Sequence, residues 1–254
     1  ARHNRSGLAG LGVDLTQHQL SARNLLNVER VRRGAQAPAP EAFTTLKNEH
    51  DIVLATMGRM SMEKNQAALI EALALLRKQD GTEGGGAQGL NVGLAIVGSG
   101  VLEATLRARI DSLGLSGHVV LLGQMDNPFP VLGGADLFVL PSLHEGQPVT
   151  LLEAMTLGTA VVASDLPGNR ELITLGYGVL SGTSPQDIAQ AIRTALADPL
   201  RARGIFDVQE HNARSLRDTL DAVLGSEALH QQSKEDEASP RSRCSRAASQ
   251  GAIA

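Results

Sequence analysis

Residues 136–172 read DLFVLPSLHEGQPVTLLEAMTLGTAVVASDLPGNREL. Leu137-Phe138-Val139-Leu140 is a short, wholly apolar run of the kind required by a strand buried on both faces. Pro141-Ser142 ends it, and Gly146-Gln147-Pro148 makes a turn. Val149 to Leu157 then reads as a helix with Leu151, Leu152 and Met155 on its apolar face. Gly158 stands where a helix closes on a glycine, and Ala160-Val161-Val162-Ala163 is the next strand. The unit is therefore strand–loop–helix–strand. Glu145 falls on the loop just past the first strand's carboxyl end, and Glu153 falls about one and a half turns into the helix. Pro148 suits the first helical position, which leaves the amides of Val149 and Thr150 directed back toward Glu145. Unused amides at a helix N-terminus favour an anion.

The text on either side continues the alternation. Upstream, Ile52 to Thr56 is a strand that runs through Gly58-Arg59 to Lys64 and into a helix from about Gln66 to Lys78. Asn91 to Val97 is a second strand ending in Gly98-Ser99-Gly100, followed by a helix over Val101 to Leu113 and a strand at His118 to Leu122. Downstream come a short helix at Pro167 to Ile173 and a last short strand at Gly176 to Leu180. A helix opened by Ser184-Pro185 comes next, reaching about Ala197, and a further one runs from about Asp207 to Leu224. This order predicts an α/β fold: a Rossmann-like parallel sheet of about six strands with helices on both faces. Ligands of such sheets bind outside the carboxyl ends of the strands. Arg59, Lys64, Gly98, Glu145 and Glu153 all come after strand ends, so they can converge on one crevice. A dinucleotide reading of Gly98-Ser99-Gly100 fails for want of a third glycine three residues later, leaving a tight turn whose backbone lines the crevice. Residues 80–90, DGTEGGGAQGL, are glycine-rich and polar and read as a surface insertion.

Composition narrows the possibilities. The chain has 254 residues, 42% of them hydrophobic, which suffices for a packed core. A net charge of −4 gives no electrostatic footprint for nucleic acid. The single cysteine, Cys244, lies in a polar tail, so neither a disulfide nor a thiolate metal framework can form within the chain, which fits a reducing, cytoplasmic compartment. No run approaches the ~18 apolar residues of a membrane helix. With no Trp, one Tyr and four Phe, the chain offers few rings for stacking against an extended glycan.

Two carboxylates beside a phosphate-sized hole suit a ligand that carries both hydroxyls and phosphate, and a nucleotide-sugar is such a ligand. The alternative is that Glu145 caps a helix and Glu153 is a solvated helix carboxylate. The surrounding text decides between them. Glu145 and Glu153, with seven residues between them in LPSLHEGQPVTLLEAM, resemble the Glu-x7-Glu signature in the C-terminal domain of retaining GT-B glycosyltransferases of the group 1 family. Gly58-Arg59 with Lys64 resembles that family's Gly-Arg-x4-Lys text, and Gly146-Gln147-Pro148 departs from its more usual Gly-Phe-Gly.

The resemblance implies one half of a GT-B fold. Residues 1–45 would be the remnant of an N-terminal domain with the interdomain linker, 46–224 the nucleotide-sugar-binding domain, and 225–254 a disordered tail. It also implies that Arg59 and Lys64 hold the donor diphosphate, with Gly98, Gly146, Val149 and Thr150 lining the donor site. Glu153 would take the ribose hydroxyls and Glu145 the transferred sugar as the catalytic carboxylate, with a UDP- or GDP-linked sugar as substrate and neither metal nor cofactor needed. Similarity of Glu-Gly-Gln-Pro, Gly-Asn-Arg and Gly-Tyr-Gly to bacterial wall-polymer synthesis domains implies a bacterial source and a cell-envelope or lipid-linked acceptor reached at the inner face of the membrane. Because only the donor half is recognisable, an N-terminal partner domain is expected for full activity. A non-catalytic nucleotide-sugar-binding module, one subunit of a split enzyme, and an epimerase on the same fold remain alternatives.

Overall fold

The structure is a computed structural model that describes residues 25–78, 90–146, 148–173, 177–198, 202 and 206–219. Most of these form one compact unit, Leu26–Val208; residues 209–219, which are helical, belong to a second unit. The expected surface insertion at 80–90 and the tail at 225–254 lie outside the described residues, apart from Leu90.

The compact unit is built on six parallel strands: β1 (Ile52–Met57), β2 (Val92–Val97), β3 (Val119–Gly123), β4 (Leu137–Leu140), β5 (Ala160–Ser164) and β6 (Val179–Ser181). Their order across the sheet is β3-β2-β1-β4-β5-β6. The doubly wound expectation is met: successive residues of each strand point to opposite faces, and both faces are covered. Val53, Ala55, Val97, Phe138, Leu140 and Val161 pack under α1 (Val28–Gly34), α2 (Glu41–Glu49), α5 (Phe129–Gly134), α6 (Val149–Thr156) and α7 (Pro167–Ile173). Leu54, Leu94, Ile96, Leu137, Val139 and Val162 pack under α3 (Gln66–Arg77), α4 (Glu103–Ser112) and α8 (Pro185–Ala197). Burial on both faces is why β2, β4 and β5 show no polar alternation.

Two elements extend the unit beyond the expected boundary at 46. Val28 and Val31 of α1, and Phe43 and Leu46 of α2, are spaced i, i+3 and buried in the same core as β1 and β4. The compact unit therefore begins at Leu26. Pro148 is the N-cap of α6 instead of its first residue, and the helix starts at Val149.

The amino ends of the strands are tied by side chains. Asp136, just before β4, accepts from the Val53 amide at 2.8 Å and from Lys47 Nζ of α2 at 3.2 Å. Nearby, Arg77 donates to the Val92 carbonyl and to His118 Nε2 at 2.9 Å; His118 Nδ1 lies 2.8 Å from His50 Nε2, and His50 Nδ1 lies 2.9 Å from the Leu46 carbonyl. One proton arrangement satisfies every link: both imidazoles are neutral and each carries its hydrogen on Nδ1. Burial first, then the charge of Arg77 and the proximity of a second imidazole, His50, hold the His118 pKa below its ordinary value, against the opposing pull of Glu49.

Candidate donor-binding site

The strand order reverses between β1 and β4, so the chain leaves these two adjacent strands in opposite directions and a crevice opens beyond their carboxyl ends. Residues 58–65, after β1, form one wall. Residues 141–146, after β4, form the other.

The first wall is fixed by backbone bonds. The Gly58 amide donates to the Val97 carbonyl, Met60 to Ser99, and Leu102 to Met60, which locks the segment after β1 to the turn after β2. Gly98 and Gly100 permit this approach. At Gly98 the backbone has φ +129°, and a Cβ there would stand 2.1 Å from the Gly58 carbonyl oxygen; one at Gly100 would stand 2.4 Å from that of Met60. Gly98 thus supports the loop that carries Arg59.

A 3₁₀ turn at Met62–Lys64 comes next and ends in Asn65, the sole non-glycine with positive φ (53°) among the described residues. Asn tolerates this left-handed geometry better than most residues, and here its side chain is also used. Nδ2 donates to the carbonyls of Pro141 (3.1 Å) and Thr183 (3.0 Å), binding the turn to the loops after β4 and β6. The Leu143 amide donates to the Glu63 carbonyl at 2.7 Å, closing the two walls together.

These ties place Lys64 Nζ 2.6 Å from Glu145 Oε1, with the lysine side chain 26% and the carboxylate 8% exposed. The lysine stem lies along Gly58, whose Cβ, if present, would meet it at 3.3 Å. Arg59 is exposed, and its guanidinium has no ion-pair partner among the described residues; Gln66 Nε2 holds its carbonyl at 2.9 Å. Arg59, Ser61, Glu63, Lys64 and His144 line an open cleft of about 690 Å3. On the far side α6 begins at Val149, and its first amides have no capping side chain. Gly146 is held from behind, because Gly168 at the start of α7 lies against its carbonyl oxygen.

Glu153 is half-buried on α6, and its side-chain carboxylate takes no hydrogen bond from a described residue. Burial raises its pKa above the ordinary carboxyl value, and the charge of Arg30 on α1 acts in the opposite sense.

The structure thus brings Arg59, Lys64 and Glu145 together at the switch point, with Gly146 at the turn before α6 and Val149 and Thr150 at its N-terminus. Glu153 stands one turn further along that helix, and Gly98 lies behind the loop instead of among the cleft-lining residues. Sequence reasoning missed Asn65, for which an asparagine directly before an apolar helical run, where a left-handed residue fits, is a signal. Among the described residues no group of three His, Cys, Asp or Glu side chains could hold a metal ion, and no helix is long and apolar enough to cross a membrane.

Fold and site together define a Rossmann-like domain with an open polar cleft at its switch point, lined by Arg59 and Lys64 among others. Residues 40–233 match the family described as glycosyl transferases group 1, and the chain belongs to that family. A relative from Campylobacter jejuni, N-acetylgalactosamine-N,N'-diacetylbacillosaminyl-diphospho-undecaprenol 4-alpha-N-acetylgalactosaminyltransferase, is 29% identical over 184 residues, covering 69% of this chain and 47% of that protein. The chain spans about a third to a half of the length of the curated relatives it matches. Among solved structures, Anabaena HepE in complex with UDP and glucose superposes with a TM-score of 0.57 at 22% identity, over 84% of this chain and 56% of HepE. The C-terminal domain of a group 1 family protein from Francisella tularensis superposes with a TM-score of 0.54 at 19% identity, over 74% of this chain and 95% of that domain. The fold is that of one half of a GT-B enzyme.

Proposed function

We propose that this chain is the donor-binding, C-terminal half of a retaining glycosyltransferase that takes a UDP- or GDP-linked sugar. The observation that carries the reading is the meeting, in one cleft at the switch point, of an exposed guanidinium (Arg59) and an ammonium (Lys64) bound to a buried carboxylate (Glu145). The complex of HepE with UDP and glucose supports the choice of ligand class.

Breaking the bond between sugar and diphosphate builds negative charge on the departing phosphate, and groups that meet that charge accelerate the step. Arg59 and Lys64 are positioned for it. Lys64 has three N–H donors, so one can stay on Glu145 while the others serve phosphate oxygens. The unused amides of Val149 and Thr150 add the partial positive charge of a helix N-terminus. Glu145, joined to the phosphate-binding lysine, faces the sugar that leaves the phosphate, and its negative charge steadies positive charge developing at the anomeric carbon. Glu153 has spare acceptor capacity for the ribose hydroxyls, and the orphaned Oγ of buried Ser142 lies under the same strand end. Attack by the acceptor on the face from which the diphosphate leaves, with the departing phosphate taking the acceptor's proton, retains configuration. The acceptor arrives from a facing N-terminal domain, and the Campylobacter relative, whose name specifies a polyprenyl-diphosphate-linked acceptor, supports a lipid-linked one.

Calorimetric titration with UDP and with GDP in the presence of EDTA tests the reading. One of the two is expected to bind the parent, and Arg59→Ala and Lys64→Ala to weaken it. Absence of binding by both nucleotides, or unchanged affinity in both variants, refutes it.

A further inference from the structure

Lys64 stands between two residues that are each fastened to the loop carrying Glu145. On one side the Glu63 carbonyl accepts the Leu143 amide at 2.7 Å. On the other, Asn65 Nδ2 donates to the Pro141 carbonyl at 3.1 Å. The first tie is backbone to backbone, whereas the second needs a side-chain donor, and that donor reaches a third loop as well.

A carboxamide nitrogen has two N–H groups, and the other one goes to the Thr183 carbonyl at 3.0 Å. Both partners are carbonyl oxygens, so only the nitrogen end of the amide can face them. Thr183 is a firm anchor. It follows β6, which is paired to β5, and precedes Ser184, the N-cap of α8. Ser184 Oγ accepts from the Asp187 amide at 3.1 Å and donates to Asp187 Oδ2 at 2.6 Å. A Cβ on Gly182 would stand 2.4 Å from that same carboxylate oxygen, so the loop is closed tightly against the start of the helix. Helix α8 packs in turn along α3, whose N-cap is Asn65. One amide therefore holds the loop after β4 to the start of α8. Its own backbone, at φ 53° and ψ 31°, meanwhile turns the chain from the 3₁₀ turn into α3.

We infer that Asn65 is a positioning residue of the donor site, whose carboxamide sets the loop of Glu145 against the turn of Lys64 so that both cleft walls stand in place before a diphosphate arrives. The inference rests on the proposed role of Arg59 and Lys64 at the diphosphate. Preformed walls raise affinity, because loops that must be ordered during binding subtract from it. Glycine and aspartate reach the left-handed backbone as asparagine does, which separates the backbone from the side chain. Glycine keeps the turn and leaves the two carbonyls without their donor. Aspartate keeps the turn and the shape but presents acceptor oxygens to carbonyl oxygens.

The test compares Asn65→Gly and Asn65→Asp with the parent, on the full chain at neutral pH in EDTA. Calorimetry gives the affinities for UDP and UMP, with GDP and GMP in parallel. Hydrogen exchange at the Leu143 amide, followed by NMR without nucleotide, reports the closure of the walls, and urea midpoints report global stability. Exchange at Leu143 is expected to quicken in both variants while the amides of β1 and β4 stay protected. The diphosphate should bind roughly tenfold more weakly to Asn65→Gly, and more weakly again to Asn65→Asp, with a smaller change for the monophosphate. Variants that exchange and bind like the parent would reduce Asn65 to its backbone and overturn the inference. So would equal losses for mono- and diphosphate that follow the urea midpoint, the result of a merely structural role. If neither UDP nor GDP binds the parent, the donor reading falls and the inference with it; if the parent binds and Leu143 exchange is unmoved in the variants, the inference alone falls.

Discussion

Removing the Lys64 ammonium should destabilise the fold, whereas removing the Arg59 guanidinium should not. Lys64→Ala leaves the Glu145 carboxylate, whose side chain is 8% exposed, without the partner now 2.6 Å away. Stripping one member from a buried ion pair costs about 3–5 kcal/mol. The lysine is 26% exposed, so solvent can enter behind the truncated side chain and soften that penalty to about 2–3 kcal/mol. Arg59 is exposed and has no ion pair among the described residues, so its truncation should stay within about 0.5 kcal/mol. Urea unfolding monitored by two spectroscopic probes, to check that the transition is two-state, separates the cases. With a slope of about 2 kcal/mol/M, the Lys64→Ala midpoint should fall by about 1–1.5 M while that of Arg59→Ala barely moves. Adding Glu145→Gln to Lys64→Ala should restore part of the loss, because the stranded group is then neutral. A Lys64→Ala midpoint equal to the parent's, or an Arg59→Ala loss of the same size, would refute the account of the pair.

The same geometry gives three further outcomes. His118 has a folded-state pKa below its unfolded value of 6.5, so its contribution to stability is present above that pH and is lost as pH falls through the window beneath it; the urea midpoint should drop there, and His118→Gln should flatten that limb, whereas an equal slope in the variant would exclude the imidazole chain as its cause. The Glu153 pKa is raised on folding, so its contribution is present below the unfolded value of 4.5 and lost as pH rises; at neutral pH Glu153→Gln should therefore raise Tm while weakening UDP binding, and a lower Tm would contradict this. Gly98→Ala places a methyl 2.1 Å from the Gly58 carbonyl oxygen at φ +129°; it should cost at least about 2 kcal/mol in thermal or urea unfolding, and a variant as stable as the parent would show that the loop carrying Arg59 is not held there.

The strand–loop–helix–strand unit was legible because its signals are local. The apolar run of β4 could belong only to a strand buried on both faces, and Gly158 and Pro167 punctuate the text after it; β4, α7 and the N-cap of α8 at Ser184 lie where the sequence puts them. Helix α5 was not legible. Its text, Phe129-Pro130-Val131-Leu132-Gly133-Gly134, carries a proline and two glycines, and it is helical because Phe129, Val131 and Leu132 are buried against the sheet, a tertiary cause. The same holds for the inclusion of α1 and α2 in the core, where the resemblance implied a linker up to residue 45. In the site, the residue types and their placement after strand ends announced Arg59, Lys64 and Glu145. The direct Lys64–Glu145 bond was not announced, since it depends on Asn65 and Leu143 drawing two loops together. Nor could the sequence show Gly98 acting through the Gly58 loop.

The central claim is that the cleft between the ends of β1 and β4 holds a nucleoside diphosphate by its phosphates. Phosphorus NMR of UDP titrated with the full chain in EDTA reads those atoms directly, with GDP run in parallel. The account predicts that the β-phosphorus resonance of the nucleotide that binds shifts with the parent protein, that the shift is lost or strongly reduced with Arg59→Ala and Lys64→Ala, and that it survives in Glu153→Gln at higher protein concentration. A β-phosphorus signal that shifts as strongly with both cation variants as with the parent, or with none of the proteins and neither nucleotide, would contradict it.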